Sequence, residues 1–544
     1  VYLLKLAAVE SFNFLKPGRH WFVFPFDFMR FIFYDVAFKR VFMEVCVKRR
    51  LLSMMALYLI ACFLGNLPAA AQPASGMADP EFSIRIVADR LSDPWEVTYG
   101  PDNQLWVTEA KGYRVLMIDP VTGKKRILLD LNSDKNFPRY DLIPDEQDGG
   151  KSLPQGGLMG LALHPALLQG SPYVYVAYAY NFPRAAEKGD GAAPDFKGIQ
   201  YICKIVRFTY NPKEQRLATP VVLCDTIPGS SDHNGGRLTI GSVNKKEYLF
   251  YSCGDMGAGQ FANGGRINKA QNKNSYEGKI LRFNISPDAD SNPVDQWIPN
   301  DNPLNGQTQS AVWTIGHRNP QGLTFTRING EEMMYTSEHG PYGDDEINRI
   351  EAGKNYGHPL VIGYNDGNYD GLAASVSDHE VIPGPWHTTY PLIGSEAGNA
   401  KEIGAAYTDP IKSFYTIGHE TLQKMFRNIK SGREDQEWEA YGPSSIDVYT
   451  SKAIPGWENS LLVTTLKGSR LLRIKLAENG KAVVGEPFSY AKGDVRYRDL
   501  AISADGHRIY LATDSSQVSS GPSRADPQKV SYRGCILELT KVNR

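Results

Sequence analysis

The segment Ser231-Asp232-His233-Asn234-Gly235-Gly236-Arg237 sets an imidazole beside a carboxylate inside a glycine-rich turn. Histidine exchanges a proton near neutral pH, and a loop position gives it access to a substrate. His233 therefore reads either as a general base or as a histidine that only holds its own turn. Asp255, in Cys253-Gly254-Asp255, would orient that imidazole or cap its local backbone. A second polar cluster, Gly316-His317-Arg318-Asn319-Pro320-Gln321-Gly322, follows a predicted strand. Arg318 would stabilise developing negative charge there, while Asn319 and Gln321 would position polar ligand atoms. A turn closed by side-chain hydrogen bonds would use the same residues. The third cluster runs Ser337-Glu338-His339-Gly340-Pro341-Tyr342-Gly343-Asp344-Asp345-Glu346. Its oxygen-rich character suits calcium, although the acidic run does not follow EF-hand spacing. Pro341 offers a carbonyl without a donor, and Gly340 permits a tight turn. Near the C-terminus, Lys467, Arg496 and Arg498 concentrate positive charge, which matches an anionic cofactor or ordinary salt bridges. Asp514 would hold a cofactor donor or cap a turn.

Such scattered residues need a scaffold that gathers loops. The dominant pattern is strand, turn, strand: residues 95–99 and 104–107 flank Gly100-Pro101-Asp102-Asn103, a turn signal between strand formers. The pattern returns at 158–163 with 173–178, 238–240 with 248–253, and 323–325 with 332–336. It recurs at 461–464 with 471–475 and at 500–502 with 509–512. Each unit has too little apolar surface to stand alone, so neighbours must stack. A ring of sheets meets that need, and the expected fold is all-β, a six-bladed β-propeller with four-stranded antiparallel blades. A β-sandwich is the competing arrangement. Helix is expected to be minor. Long polar stretches at 132–154, 181–199, 257–275 and 363–400 exceed passive connectors, and the site is expected where they meet.

The chain has 544 residues with 59 basic and 60 acidic side chains, a formal net charge of -1. That balance excludes a broad nucleic-acid surface, where each neutralised phosphate needs a basic partner. With 42% hydrophobic residues, 51 glycines, 34 prolines and 29 tyrosines, the composition favours turns and aromatic strands over disorder. Residues 1–71 read as a leader apart from the fold, and 72–544 as a single propeller domain. Lys48, Arg49 and Arg50 precede an apolar run over 51–67, and Ala69-Ala70-Ala71 gives an A-x-A cleavage pattern. The aromatic, irregular stretch 1–42 is consistent with a start assigned too far upstream. Export to the periplasm or medium is the leading expectation. Leu59-Ile60-Ala61-Cys62 also resembles a lipoprotein box, so a lipid on Cys62, or a retained leader, would attach the protein to a membrane. Cys203, Cys224, Cys253 and Cys535 form no C-x-x-C pair, and their spacing assigns no disulfide.

Taken in order, these motifs resemble those of the soluble pyrroloquinoline-quinone-dependent glucose dehydrogenases, within the glucose/sorbosone dehydrogenase family. The resemblance covers roughly residues 86–539. It rests on Gln155-Gly156-Gly157-Leu158-Met159-Gly160, Asp232-His233, the 316–322 and 338–346 clusters, Lys467-Gly468 and Arg496-Tyr497-Arg498-Asp499. It implies that His233 takes the anomeric hydroxyl proton, that Asp255 orients it, and that Gln155, Asp232, Arg318 and Trp438 meet the sugar. It further implies pyrroloquinoline quinone (PQQ) held by Arg318, Asn319, Gln321, His339, Lys467, Arg496, Arg498 and Asp514. Calcium beside the quinone would take the carbonyls of Gly340 and Pro341, and a structural calcium would draw on Glu346, Tyr356, Ile362 and Asp366. His339 stands where the glucose dehydrogenases carry a glutamine, and the family's cysteine pair before the late Pro-Ser-Ser strand is absent. The implied partners are a small sugar, an unspecified electron acceptor and, in some relatives, a second copy of the chain as a homodimer. A sorbosone or other sugar-aldehyde dehydrogenase and a non-catalytic binding propeller are the competing functions.

Overall fold

Segments rich in valine, isoleucine, leucine and tyrosine pair as antiparallel strands and give six sheets of four. The computed structural model describes residues 80–136, 156–182, 200–260, 263–290, 295–305, 309–433, 438–515 and 530–542. The leader, Cys62 and Gln155 lie outside them. Blade 1 comprises Pro94–Tyr99, Leu105–Glu109, Arg114–Ile118 and Lys125–Asp130. Blade 2 comprises Leu158–Leu163, Tyr173–Asn181, Tyr201–Asn211 and Arg216–Gly229. Blade 3 follows with Gly235–Val243, Lys246–Cys253, Lys279–Asn284 and Val312–Ile315. Blade 4 holds Pro320–Ile328, Glu331–Glu338, Asp345–Arg349 and Lys412–Phe414. Blade 5 holds Pro443–Tyr449, Ser460–Thr465, Leu471–Leu476 and Val483–Tyr490.

Blade 6 is composite. Tyr497–Ile502, Arg508–Thr513 and Ile536–Lys541 take Phe82–Ala88 as their outermost strand, with Phe82 opposite Lys541 and Ile86 opposite Leu537. The first strand of each blade packs against its counterparts in the two neighbouring blades, and blade 1 meets blade 6 to close the ring. The expected six-bladed propeller is therefore the observed fold. One unit sits differently from its prediction. The pair at 461–464 and 471–475 forms the second and third strands of blade 5, because Pro443–Tyr449 precedes it as the inner strand. That strand opens Pro-Ser-Ser, and Ser444 is buried with its hydroxyl donating to the Tyr497 carbonyl at 2.6 Å. Small polar residues that bond to a neighbouring blade hide the apolar alternation.

Apolar clusters fill the gaps between blades. Trp457 is 1% exposed and packs against Phe82, Tyr449 and Tyr490, with ring centroids at 5.4, 5.7 and 4.9 Å. Burying an aromatic of that size stabilises the fold by roughly 2–3 kcal/mol. The centre of the ring is polar instead. Arg237 on the inner strand of blade 3 donates to Glu96 Oε2 at 2.6 Å and lies 3.0 Å from Asp499 Oδ1. It also donates to the carbonyls of Gln321 and Ser444 at 3.0 and 3.1 Å, and stacks over Trp95 at 4.1 Å. One guanidinium thus joins inner strands of five blades. Burial, opposed by Arg237 and reinforced by Asp499, pushes Glu96 up to about 8.

Three excursions leave this frame. The first, 254–278, departs between the second and third strands of blade 3. Lys279 fastens its end, donating from Nζ to the carbonyls of Lys269, Ala270 and Glu277 at 3.0, 2.7 and 2.5 Å. The second, 350–411, interrupts blade 4 and carries helix α1 (Glu396–Ile403), whose N-cap Ser395 accepts from the Gly398 N–H. The third links blades 4 and 5 through helix α2 (His419–Lys430). Its buried face of Leu422, Met425 and Phe426 packs on Tyr342, Tyr369 and Trp386. The four cysteines among the described residues are buried and free.

Candidate active site

His233 lies on the turn into blade 3 with φ of 48°, a left-handed conformation uncommon outside glycine. Its Nδ1 is 2.7 Å from Asp255 Oδ1. Asp255 follows the second strand of the same blade, and its N–H donates to the Arg318 carbonyl at 2.7 Å. Glycine precedes it by necessity: a Cβ on Gly254 would lie 2.0 Å from the His233 carbonyl. Asp232 accepts the His233 N–H at 3.0 Å and the Gln260 side-chain N–H at 2.9 Å. Burial alone would raise the Asp255 carboxyl, but the imidazoles of His233 and His358 hold it well below the ordinary carboxylate range. An aspartate kept ionised fixes Nδ1 of His233 as the donor and leaves Nε2 as the atom able to accept a proton.

Gln260 completes this corner and carries no sequence signal beyond its place in the 257–275 stretch. Its amide N–H reaches His233 Nε2 at 3.0 Å, and its Oε1 accepts from Arg318 Nη2 at 2.8 Å. Arg318 donates from Nη1 to the carbonyls of His339 and Gly340 at 3.2 and 2.8 Å. Its own N–H is held by Glu338 Oε2 at 3.0 Å, and Glu338 Oε1 lies 3.0 Å from His317 Nδ1. Burial would raise the Glu338 carboxyl, yet His317 and the Arg318 amide keep it below the usual glutamate value. His317 and Glu338 were legible only as members of their clusters, not as the brace beneath Arg318.

The basic residues converge from blade 6. Arg498 grips Asp514 with two donors at 2.8 Å each and donates to Gln321 Oε1 at 2.7 Å. Arg496 Nε lies 3.3 Å from Asp514 Oδ2. Lys467 donates to the Trp438 carbonyl at 2.5 Å and sits 4.8 Å above that indole, which meets Tyr342 edge-on at 5.1 Å. His339 connects the two sides. Burial, with His233, Arg318 and Arg498 nearby, holds its imidazole well below the usual histidine range and hence neutral. Arg318 Nε, Asn319 Nδ2 and His339 Nε2 are buried without a hydrogen-bond partner. Unpartnered buried nitrogens beside two further arginines fit a polar group bearing carboxylates and carbonyls.

The calcium-directed residues fall into two places. Gly340 makes its turn where a Cβ would meet the Gly343 carbonyl at 1.9 Å, and its carbonyl faces Arg318. Glu346 lies on blade 4, accepting from Asn348 Nδ2 at 2.8 Å and from the Gly363 N–H at 3.0 Å. Tyr356 is buried and turned elsewhere, stacked on His317 at 4.7 Å with its hydroxyl on the Arg349 carbonyl. The Ile362 N–H donates to Glu396 Oε1 at 2.8 Å, and Asp366 is exposed, accepting from the Asn368 N–H. Burial and the neighbouring Glu338 carboxylate push Glu346 well above its ordinary value. Burial, with Asp366 nearby, takes Glu396 up to about 7. Mutually repelling carboxyls in an oxygen-rich loop region suit an oxygen-ligated cation. Among the described residues, no three His, Cys, Asp or Glu side chains are grouped to hold a metal by themselves. Glu396, at the start of α1, is the member of this group that the sequence did not single out.

The chain and its fold have counterparts among known proteins. The glucose/sorbosone dehydrogenase family model matches residues 91–394 and 422–519. Quinoprotein glucose dehydrogenase B of Acinetobacter calcoaceticus is 32% identical over 494 residues, covering 87% of this chain and 94% of that protein. Aldose sugar dehydrogenase YliI of Escherichia coli is 24% identical over 444 residues, covering 80% of this chain and 90% of that protein. The PQQ-bound aldose sugar dehydrogenase of Streptomyces coelicolor shares the fold, with a TM-score of 0.53 and 24% identity over 85% of this chain and 99% of that one. This chain belongs to the glucose/sorbosone dehydrogenase family.

Proposed function

We propose that the protein oxidises an aldose at its anomeric carbon to a lactone, using pyrroloquinoline quinone and calcium. The observation that carries this reading is the buried His233–Asp255 pair, 2.7 Å apart and joined through Gln260 to Arg318, in a site where Arg318, Asn319 and His339 each keep an unpartnered buried nitrogen. When bound, the quinone would accept the hydride leaving the anomeric carbon, and calcium would polarise its carbonyl as a Lewis acid. His233 Nε2 takes the hydroxyl proton, while Asp255 retains Nδ1–H and stabilises the resulting imidazolium. The sugar hydroxyl replaces the Gln260 amide now on Nε2. Asp232 and Trp438, with Gln155 from outside the described residues, orient the ring.

Arg318, Asn319, Gln321 and His339 would hold the quinone's edge, and Lys467, Arg496 and Arg498 its carboxylates. Asp514 keeps the two arginines aimed. Gly340 and Pro341 would contribute carbonyls to the metal beside it, with the carboxylates of Glu346 and Asp366 and the backbone carbonyls of Tyr356 and Ile362 serving a second calcium. Export of a 72–544 domain after removal of residues 1–71 belongs to the same proposal, and the periplasm or medium is its setting.

The test is dye reduction with a panel of aldoses and sugar aldehydes, on protein loaded with calcium and the quinone. Sugar-dependent turnover is expected, and His233→Ala lowers kcat about 10²–10⁴-fold while leaving quinone binding intact. Preference for aldehyde sugars would move the substrate to the sorbosone class. Quinone binding absent alongside absent turnover would overturn the enzyme reading in favour of a binding propeller.

A further inference from the structure

Asp255 collects more donors than its contact with His233 requires. Oδ1 accepts from His233 Nδ1 at 2.7 Å and from the Gly257 N–H at 2.9 Å. Oδ2 lies within reach of His358 Nε2 at 2.8 Å, Asn268 Nδ2 at 2.9 Å and the Tyr390 hydroxyl at 3.1 Å. A carboxylate offers about four lone-pair sites, so this one is saturated. Asn268 is oriented by the Ala270 N–H on its Oδ1 at 2.9 Å, which turns its amide nitrogen toward Asp255. The 3.4 Å approach of that nitrogen to His358 Nε2 is then a contact between two donors, both aimed at Oδ2.

His358 reaches this position across 103 residues of sequence, from the 350–411 excursion. It is 5% exposed. Its N–H donates to the Gly316 carbonyl at 3.1 Å, and Gln271 Nε2 donates to its carbonyl at 2.8 Å. The ring meets Tyr390 edge-on at 5.7 Å. The backbone is therefore held independently of Asp255, and the acceptor-only carboxylate fixes His358 Nε2 as a donor.

We propose that His358 is a positioning residue for the proton transfer assigned to His233. Its Nε2–H holds Oδ2 of Asp255, so that Oδ1 stays on His233 Nδ1 and His233 Nε2 stays the accepting atom. The inference rests on the reading of His233 as the base. A donor on the far oxygen also draws charge from the near one, so His358 tempers how firmly Asp255 retains a proton on His233. The charged and titratable groups facing His233 are Asp232, Asp255, His339 and Arg318; those facing His358 are Asp255, Tyr390, Arg318 and Glu338.

The test compares His358→Phe, which fills the space without a donor, with His358→Gln, whose amide N–H can reach Oδ2. Two measurements are made: histidine NMR titration of the calcium-loaded full chain, and pH profiles of kcat/KM on protein loaded with calcium and quinone. In His358→Phe, His233 is expected to titrate at higher pH, the acid limb of the profile to move upward with it, and kcat to fall about ten- to a hundredfold at little change in KM. His358→Gln restores all three. A His358→Phe protein that folds but leaves the His233 titration and the acid limb where they were overturns the proposal, whatever its rate. If that variant does not fold, the shorter His358→Asn carries the same expectation and the same failure. If His233→Ala itself retains turnover, the base assignment falls, while the NMR titration still decides whether His358 governs His233.

Discussion

Asp255 and Glu346 are carboxylates of one propeller, yet their surroundings drive them in opposite directions. Asp255 meets donors from His233, Gly257, Asn268, His358 and Tyr390, and stays ionised far below its ordinary value. Among the described residues Glu346 accepts from Asn348 and the Gly363 amide, and with Glu338 and Asp344 nearby burial pushes it well up. Burial opposes charge at both places, so the neighbours decide. A carboxylate surrounded by hydrogen-bond donors serves as a fixed negative charge for an imidazole. One surrounded by other acids gains a reason to pair with a cation.

The sharpest way to break this contrast is Asp255→Asn. The amide can present an N–H to His233 Nδ1 and impose the wrong tautomer, so kcat should fall by about three orders of magnitude with the fold retained. Dye reduction and circular dichroism together check it; a loss below tenfold would mean that the donors around Asp255 serve packing alone. Next is calcium. Addition of the ion should raise the melting midpoint by about 5 °C, and Glu346→Gln should remove most of that gain. An equal shift in the variant would separate Glu346 from any cation.

Glu96 provides the smallest and most selective test, because it is a third case: buried, beside one arginine and one aspartate, and raised from 4.5 to about 8. A folded-state value above the unfolded one means that its contribution is complete below about 4.5 and is lost as pH rises through about 8. Glu96→Gln copies the protonated form. The variant should therefore lose less stability than the parent between pH 5 and 8, a difference read by denaturant titration. Parallel curves would show that Arg237 keeps Glu96 ionised throughout.

Much of this was legible in the sequence. Five of six inner hairpins stood where alternation and turns put them, because those strands bury one apolar stripe per face. The inner strand of blade 5 was not, since Ser444 and Ser445 replace that stripe with hydrogen bonds. The polar clusters at 231–237, 316–322 and 338–346 announced themselves by density, and Arg318, His339 and Gly340 do lie in mutual contact. Gln260, His358, Tyr390 and Glu396 carried no such signal. The first three stand alone in loops and Glu396 opens α1; only the folding of 254–278 and 350–411 onto one another brings Gln260, His358 and Tyr390 to the His233–Asp255 pair. Spacing along the chain registers residues that share a turn; it is blind to residues that share only a destination.

The composite sixth blade has a temporal meaning. Phe82–Ala88 is among the first folded segments to be synthesised, yet Arg85 finds its carboxylate partner Glu538 only 453 positions later. Until then the buried end of the strand, Val87 and Ala88, has no sheet to join, and the sixth blade lacks its two outer strands. Completion of the sixth blade consequently waits for residues 536–541, with the slow kinetics that such distant pairing brings. A truncation of a dozen C-terminal residues would act at the opposite terminus, releasing the first strand rather than merely shortening the last.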